Sequence, residues 1–246
     1  MTKPQAGLEL ATRRLRDAIL LDETESFYHA QLGNARNLQG AAAAALPALD
    51  EAIRLRPTIA WYHADRGTAL ERLGRLPDAL AAYREAVRLE PERGLWRGYL
   101  GVALIRAKQH KPGLAQLHDA VRLEPTSAFS HAGLAGAYLG RGRTAEAIAH
   151  LDTSISIDPR TSWYFGTRGA ALEQANRRPE AIASYREAVR LAPTDAGLRI
   201  ALGALLERSN ALEEAIREFR EAARLEPDAP RHLDRLSAAL KKRGRP

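Results

Sequence analysis

An all-α solenoid of helical hairpins is the fold class this sequence predicts, and three observations predict it. Prolines recur every 34 residues, at 57, 91, 125, 159, 193 and 227, each closing a phrase such as "RLRP", "RLEP" or "SIDP". Small residues keep constant phase to those prolines: Gly33, Gly67, Gly101, Gly169 and Gly203 at one place, Ala45, Ala79, Ala147, Ala181 and Ala215 at a second, and Ala52, Ala86, Ala120, Ala188 and Ala222 at a third. Between these marks, apolar residues lie three and four apart, the spacing of one helix face. Ala135, Gly113 and Ser154 are the exceptions at the three places, and all are small.

The elements follow in order. With the closing proline as position 32, six repeats span 26–59, 60–93, 94–127, 128–161, 162–195 and 196–229. Each holds two helical stretches parted by a short break such as "LGRLP" or "ANRRP". Pro77 and Pro179 open second helices, where a missing N–H is tolerated, and the closing proline ends each second helix. Thr58, Thr126, Thr194 and Asp228 follow the prolines and are expected to cap the next first helix. One large residue per repeat (Leu49, Tyr83, Leu117, Leu151, Tyr185, Phe219) is expected to fill the gap left by the small ones. Residues 8–25 read as the second half of a preceding repeat, residues 230–243 as a capping helix with no partner, and 244–246 as a tail. The stretches "YREAVRLEP" (83–91) and "YREAVRLAP" (185–193) lie 102 residues apart, three repeats. Asp50 and Asp152, Trp61 and Trp163, and Arg66 and Arg168 recur at the same distance, which suggests a duplicated three-repeat block.

This pattern resembles the tetratricopeptide repeat over nearly the whole chain. The resemblance implies a right-handed superhelical solenoid that is not an enzyme and binds protein or peptide. Two features depart from the family: bulky aromatics sit at positions 2 and 3 rather than 4, and Arg66 and Arg168 stand where Leu is usual at position 7. In the family, positions 2, 5, 9, 12 and 13 of the first helices line the concave ligand surface. Carried onto this chain, position 2 gives Phe27, Trp61, Leu95, Phe129 and Trp163, and position 9 gives Asn34. Positions 12 and 13 give Asn37, Glu71, Arg72, Arg106, Glu173, Gln174 and Arg208. Small residues at 5 (Ala30, Ala64, Gly98, Ala132, Gly166) and at 9 (Gly136, Ala170, Ala204) are expected to form a smooth floor. The position-3 residues Tyr28, Tyr62, Trp96 and Tyr164 are expected in the core. The family's carboxylate clamp is not reproduced: Asn34 is preceded by Ala30 and followed by Asp65, and only Arg231 and Arg235 match its last element.

Composition narrows the function further. The net charge of +7 is concentrated at one end: residues 231–246 hold six Lys or Arg against one Asp, while the other 230 residues hold 31 basic against 29 acidic. A balanced body argues against a nucleic-acid partner. Position 29 is Arg in five repeats, three residues after an acid, which suits local pairing at a helix C-terminus better than a phosphate ladder. There is no cysteine, and the most apolar run, "GAAAAALPAL", is about half a membrane span. No signal-like segment opens the chain, so a cytoplasmic, bacterial setting is expected. No Gly-rich phosphate loop or catalytic constellation is present, and His29, His63 and His131 share position 4 one repeat or more apart, too far for one ion. The expectation is a non-catalytic scaffold or adaptor with no cofactor and no metal. Its partner would be a protein or peptide, and self-association is compatible with it. The alternative is the interaction region of a larger protein, such as a bacterial glycosyltransferase or signalling enzyme.

Overall fold

A computed structural model describes residues 3–244 and shows fourteen helices and no strand among them. The chain divides into two compact units, Met1–Gly133 and Leu134–Pro246. The first holds α1 (Lys3–Leu21), α2 (Ser26–Leu38), α3 (Ala42–Leu55), α4 (Ala60–Arg72), α5 (Leu76–Leu89), α6 (Gly94–Arg106), α7 (His110–Leu123) and the start of α8 (Ala128–Leu139). The second holds the rest of α8, then α9 (Thr144–Ile157), α10 (Ser162–Gln174), α11 (Arg178–Leu191), α12 (Ala196–Arg208), α13 (Leu212–Leu225) and α14 (Pro230–Arg243). The class is the all-α solenoid of hairpins that the 34-residue period predicts.

The period is written into the turns. Each break inside a hairpin places position 15 in the left-handed region: Gly40, Gly74 and Gly142 at φ 72–77°, and Lys108, Asn176 and Asn210 at φ 59–60°. In every one of the six, the next residue's N–H reaches back five residues, as Ala41 to Arg36 (2.9 Å) and Gln109 to Leu104 (2.9 Å). The left-handed residue's own N–H reaches back three, as Gly40 to Asn37 (3.0 Å), completing a Schellman cap on the first helix. The second helices stop two residues before each proline. The residue between is extended, for instance Arg56 at φ −140°, ψ 85°, because a proline ring crowds a preceding helical residue.

The caps of the first helices lie one residue later than the sequence reading put them. Thr58 and Thr194 sit in the turn, and the N-cap residues are Ile59 and Asp195. Ala229, not Asp228, caps α14. Before α8, Ser127 rather than Thr126 accepts from a helix N–H, that of Ser130, at 3.3 Å. The closing proline takes two residues to turn the chain, so only a polar side chain at position 34 can reach the exposed N–H groups. Asp195 does, accepting from Leu198 N–H at 3.0 Å. At the N-terminus α1 starts at Lys3, before the expected residue 8, and ends at Leu21, where Asp22 accepts from the backbone and hydroxyl of Thr24 at 3.0 and 2.7 Å.

Five of the six hairpins close on a glycine at position 8, which has no side chain to separate the helices, and the fourth closes on Ala135. A Cβ on Gly33 would lie 2.4 Å from Leu49 Cγ, and one on Gly67 would lie 2.5 Å from the Tyr83 ring. Leu49, Tyr83, Leu117, Leu151, Tyr185 and Phe219 are all buried, as expected of the large residue at position 24. The position-29 arginines pair with the acids three residues before them, as Arg54–Glu51 and Arg88–Glu85, both 2.6 Å. These pairs are exposed, so solvent screens them and they add little to stability. The two unusual arginines at position 7 find the two aspartates that recur with them: Arg66–Asp50 at 2.6 Å and Arg168–Asp152 at 2.5 Å. The histidines at position 4 bond the chain turn that precedes their helix, His63 to Pro57 O at 2.8 Å and His131 to Pro125 O at 3.1 Å. Arg97 and Arg199 do the same at that position, each reaching the preceding proline carbonyl at 3.0 Å.

Candidate ligand groove

The first compact unit carries an open cavity of about 450 Å³ on the face of its first helices. Helix α2 contributes Phe27, Gln31 and Asn34, α4 contributes Trp61 and Asp65, and α6 contributes Leu95, Trp96 and Tyr99. In repeat positions these are chiefly 2, 6 and 9, a stripe advancing by four and then three residues, as one face of a helix must.

Four of the predicted site residues therefore meet in this cavity: Phe27, Trp61, Leu95 and Asn34. Phe27 is 49% exposed, and its ring stands edge-on to Trp61 with centroids 6.3 Å apart. Trp61 in turn stands edge-on to Tyr62 at 4.5 Å. Phe129 is partly buried, its ring 4.9 Å from Tyr99. Trp163 is 54% exposed and lies in the second compact unit, in a separate cavity of about 300 Å³ with Gly166, Thr167, Ala170, Asp195 and Leu198.

The expected floor is corrected at position 5; at position 9, Gly136 and Ala170 are exposed. Ala30, Ala64 and Ala132 at position 5 are buried rather than exposed. They sit where neighbouring repeats press together: a Cβ on Gly98 would meet Ser130 Oγ at 3.0 Å, and one on Gly166 would meet Leu198 at 2.8 Å. Position 6 takes the surface place, bringing in Gln31, Asp65 and Tyr99, which the sequence reading missed. The position-3 expectation holds for Tyr62 and Tyr164, which are buried, but Trp96 is only partly so and walls the cavity, its indole N–H donating to Glu90 at 2.7 Å.

The mixed-charge rim is spent on the fold. Glu71 at position 12 pairs with Arg106 at position 13 of the next repeat (2.5 Å), Glu173 pairs with Arg208 in the same relation, and Glu207 continues it with Lys242 at 3.4 Å. Arg72 donates to the backbone carbonyl of Asn37. Asn37 is itself 4% exposed and donates to the backbone carbonyl of Asp65 at 3.0 Å. Gln174 accepts from Thr144 at 3.2 Å and, with Leu139, Ala170, Glu173 and Arg208, borders a shallow depression of about 420 Å³ in the second unit. Glu71 also accepts from the Tyr83 hydroxyl at 3.0 Å, and burial, reinforced by the Glu71 charge, pushes that phenol's pKa far up.

Asp65 is the one acid among the residues that line the cavity. Asp65 Oδ2 accepts from Asn34 Nδ2 at 2.9 Å, and no cation of the described residues pairs with it. Burial raises its pKa above the usual carboxylate value, against the smaller opposing effect of the Asn34 bond. Burial likewise raises the Tyr99 phenol, and the Asp65 charge adds to the rise.

Residues 64–111 match the tetratricopeptide repeat, and residues 89–202 match the bacterial transcriptional activator domain. No curated protein matches the chain. Among solved structures, the chain is similar to the APC/C hetero-tetramer Cut9–Hcn1 (TM-score 0.82, 16% identity), covering 96% of this chain and 46% of that one. It is also similar to a tetratricopeptide repeat protein from Parabacteroides merdae ATCC 43184 (0.72, 18%), covering 96% and 94%. A third, YrrB, described as having an unusual peptide-binding site, matches at 0.51 and 22%, covering 77% and 96%. At these identities the structures show the fold. No helix among the described residues is long and apolar enough to cross a membrane.

Proposed function

Since the chain belongs to the tetratricopeptide-repeat family, we propose that it is a non-catalytic scaffold that holds an extended segment of a partner protein against the first helices of repeats 1–3. The observation that carries this reading is the open cavity walled by Phe27, Trp61 and Trp96, in a stretch where other polar side chains pair with one another. Large, rigid rings give much contact area for little lost side-chain freedom, which is why such residues dominate binding surfaces. An array of unrelated blocked heptapeptides, probed with the full chain, tests it. Binders should lose affinity when Trp61 becomes Ala, by about 2 kcal/mol or roughly thirtyfold in Kd. An array on which no binder responds to Trp61→Ala refutes the reading.

A second reading has its own observation. The match of residues 89–202 to a bacterial transcriptional activator domain supports a role as the helical interaction region of a bacterial transcription regulator. The reading frame of the gene decides it: a DNA-binding domain encoded in frame with this chain is expected, and none in frame would remove the reading.

A further inference from the structure

We propose that the cavity of repeats 1–3 is a receptor for a guanidinium group, so that the partner segment presents an arginine whose side chain lies between the aromatic walls with its charge at the Asp65 carboxylate. This rests on the peptide-binding reading above and gives it a chemical class: a basic segment. The first ground is a contrast among neighbouring acids. Asp50 on α3 is paired with Arg66, and Glu71 on α4 with Arg106, but Asp65 has one amide partner, Asn34, and no cation of the described residues beside it. A half-buried carboxylate without a counter-charge is costly. A cationic guest removes that cost, whereas an acidic guest adds to it. The raised pKa of Asp65 is the same cost seen from the side of the proton.

The walls are the second ground. Trp61, Trp96 and Tyr99 border the cavity with Asp65, and the Trp96 and Tyr99 rings are near-parallel at 6.2 Å. Aromatic faces attract cations, and a planar guanidinium can stack on a ring while its N–H groups reach a carboxylate. An ammonium offers the charge without the plane, so arginine is preferred to lysine.

An internal comparison supplies the third ground. Three repeats on, Trp61 recurs as Trp163 in a second cavity, yet Asp65 is replaced there by Thr167, Trp96 by Leu198 and Tyr99 by Ala201. Asp65 and the two further rings are thus absent together; the aspartate that does border that cavity, Asp195, already caps α12 by accepting from Leu198 N–H at 3.0 Å.

The three tryptophans of the chain, Trp61, Trp96 and Trp163, give three indole N–H resonances in a nitrogen-15 NMR spectrum. The full chain is titrated with a blocked pentapeptide bearing a central arginine between alanines and glycines, and in parallel with its citrulline counterpart, which has the same shape and no charge. The Trp61 and Trp96 resonances should shift saturably with the arginine peptide while Trp163 stays, and citrulline should bind at least about tenfold more weakly. Asp65→Asn, which can still accept from Asn34, should hold or raise the melting temperature, since it removes the unpaired charge, and should erase the arginine preference. Equal affinities, a preference that survives Asp65→Asn, or Trp61 and Trp96 resonances silent to both peptides each overturn the proposal. In those cases Trp61-dependent binders on the heptapeptide array would leave peptide binding standing, and their absence would remove both.

Discussion

Lys108 is the one lysine forced into a conformation that its five equivalents meet with Gly or Asn. All six hairpin turns put position 15 at φ near 60–77°, with Gly40, Gly74 and Gly142 in three and Asn176 and Asn210 in two. A side chain there costs about 1–2 kcal/mol for most L-residues, because Cβ crowds the following carbonyl. Lys108 is exposed and makes no side-chain hydrogen bond or ion pair among the described residues, so its replacement loses nothing else. Glycine removes the strain but gives back about 0.4–1 kcal/mol through the greater freedom of the unfolded chain. Lys108→Gly should therefore stabilise by about 0.5–1 kcal/mol, a melting rise of about 1–3 °C for a chain of this size. Lys108→Asn should gain somewhat less, in keeping with the native Asn176 and Asn210. The backbone bond from residue 108 N–H to Ile105 O, 2.9 Å long, is kept in both variants. The assay is thermal unfolding by circular dichroism, with amide exchange of α6 and α7 to localise the effect. A lower melting temperature for both variants would refute the reasoning, since it would mean that the lysine side chain contributes something its exposure does not show.

The half-exposed Trp163 should tolerate truncation, so Trp163→Ala is expected to cost no more than about 1 kcal/mol of stability. Trp61→Ala should cost more, since its ring contacts those of Phe27 and Tyr62; melting curves of the two variants side by side check the order. The Arg66–Asp50 and Arg168–Asp152 pairs should each show a coupling of about 0.2–1 kcal/mol in double-mutant cycles read by chemical denaturation, as partly exposed ion pairs do. Acidification should weaken the arginine peptide beginning above the ordinary aspartate range, because the raised pKa of Asp65 lets it neutralise early. Over that same window the unliganded protein should gain stability as pH falls, since the folded state favours protonated Asp65; Asn34 on α2 and Tyr99 on α6 are the groups facing it. Titration calorimetry against pH for the wild type and Asp65→Asn measures the first effect, and the variant should be flat.

The hairpin architecture was legible in the sequence because proline and glycine act locally. A closing proline bars its predecessor from the helix wherever the rest of the chain lies, and a 34-residue spacing of such stops leaves little freedom. The site was legible only in part. Positions 5 and 6 lie one residue apart, and both fit the helical spacing of a stripe that includes position 2. Which of them faces outward depends on the tilt at which adjacent repeats meet, and no single helix encodes that tilt. So Ala30 and Ala64 fit a floor by spacing yet are packed beneath neighbours, while Asp65 and Tyr99, one residue on, border the cavity. The rim failed for another reason. A residue such as Glu71 reads as available until its partner, 35 residues on, is known to be Arg106. A signal did exist: acid at position 12 followed by base at position 13 of the next repeat occurs at 71 and 106, at 173 and 208, and at 207 and 242. Position 4 offered a similar signal, since it is histidine or arginine in five of the six repeats, each bonding a carbonyl of the turn before its helix.

Asp65 is held by two asparagines of the preceding repeat, Asn34 on its carboxylate and Asn37 on its backbone carbonyl. The carboxylate is thus fixed in place when repeats 1 and 2 stack, before any ligand arrives. Its rotamer freedom is surrendered during folding rather than during association, which lowers the entropic barrier to complex formation. Substituting either asparagine would accordingly loosen a receptor from a distance, altering how tightly the guest is held through a residue that the guest never touches.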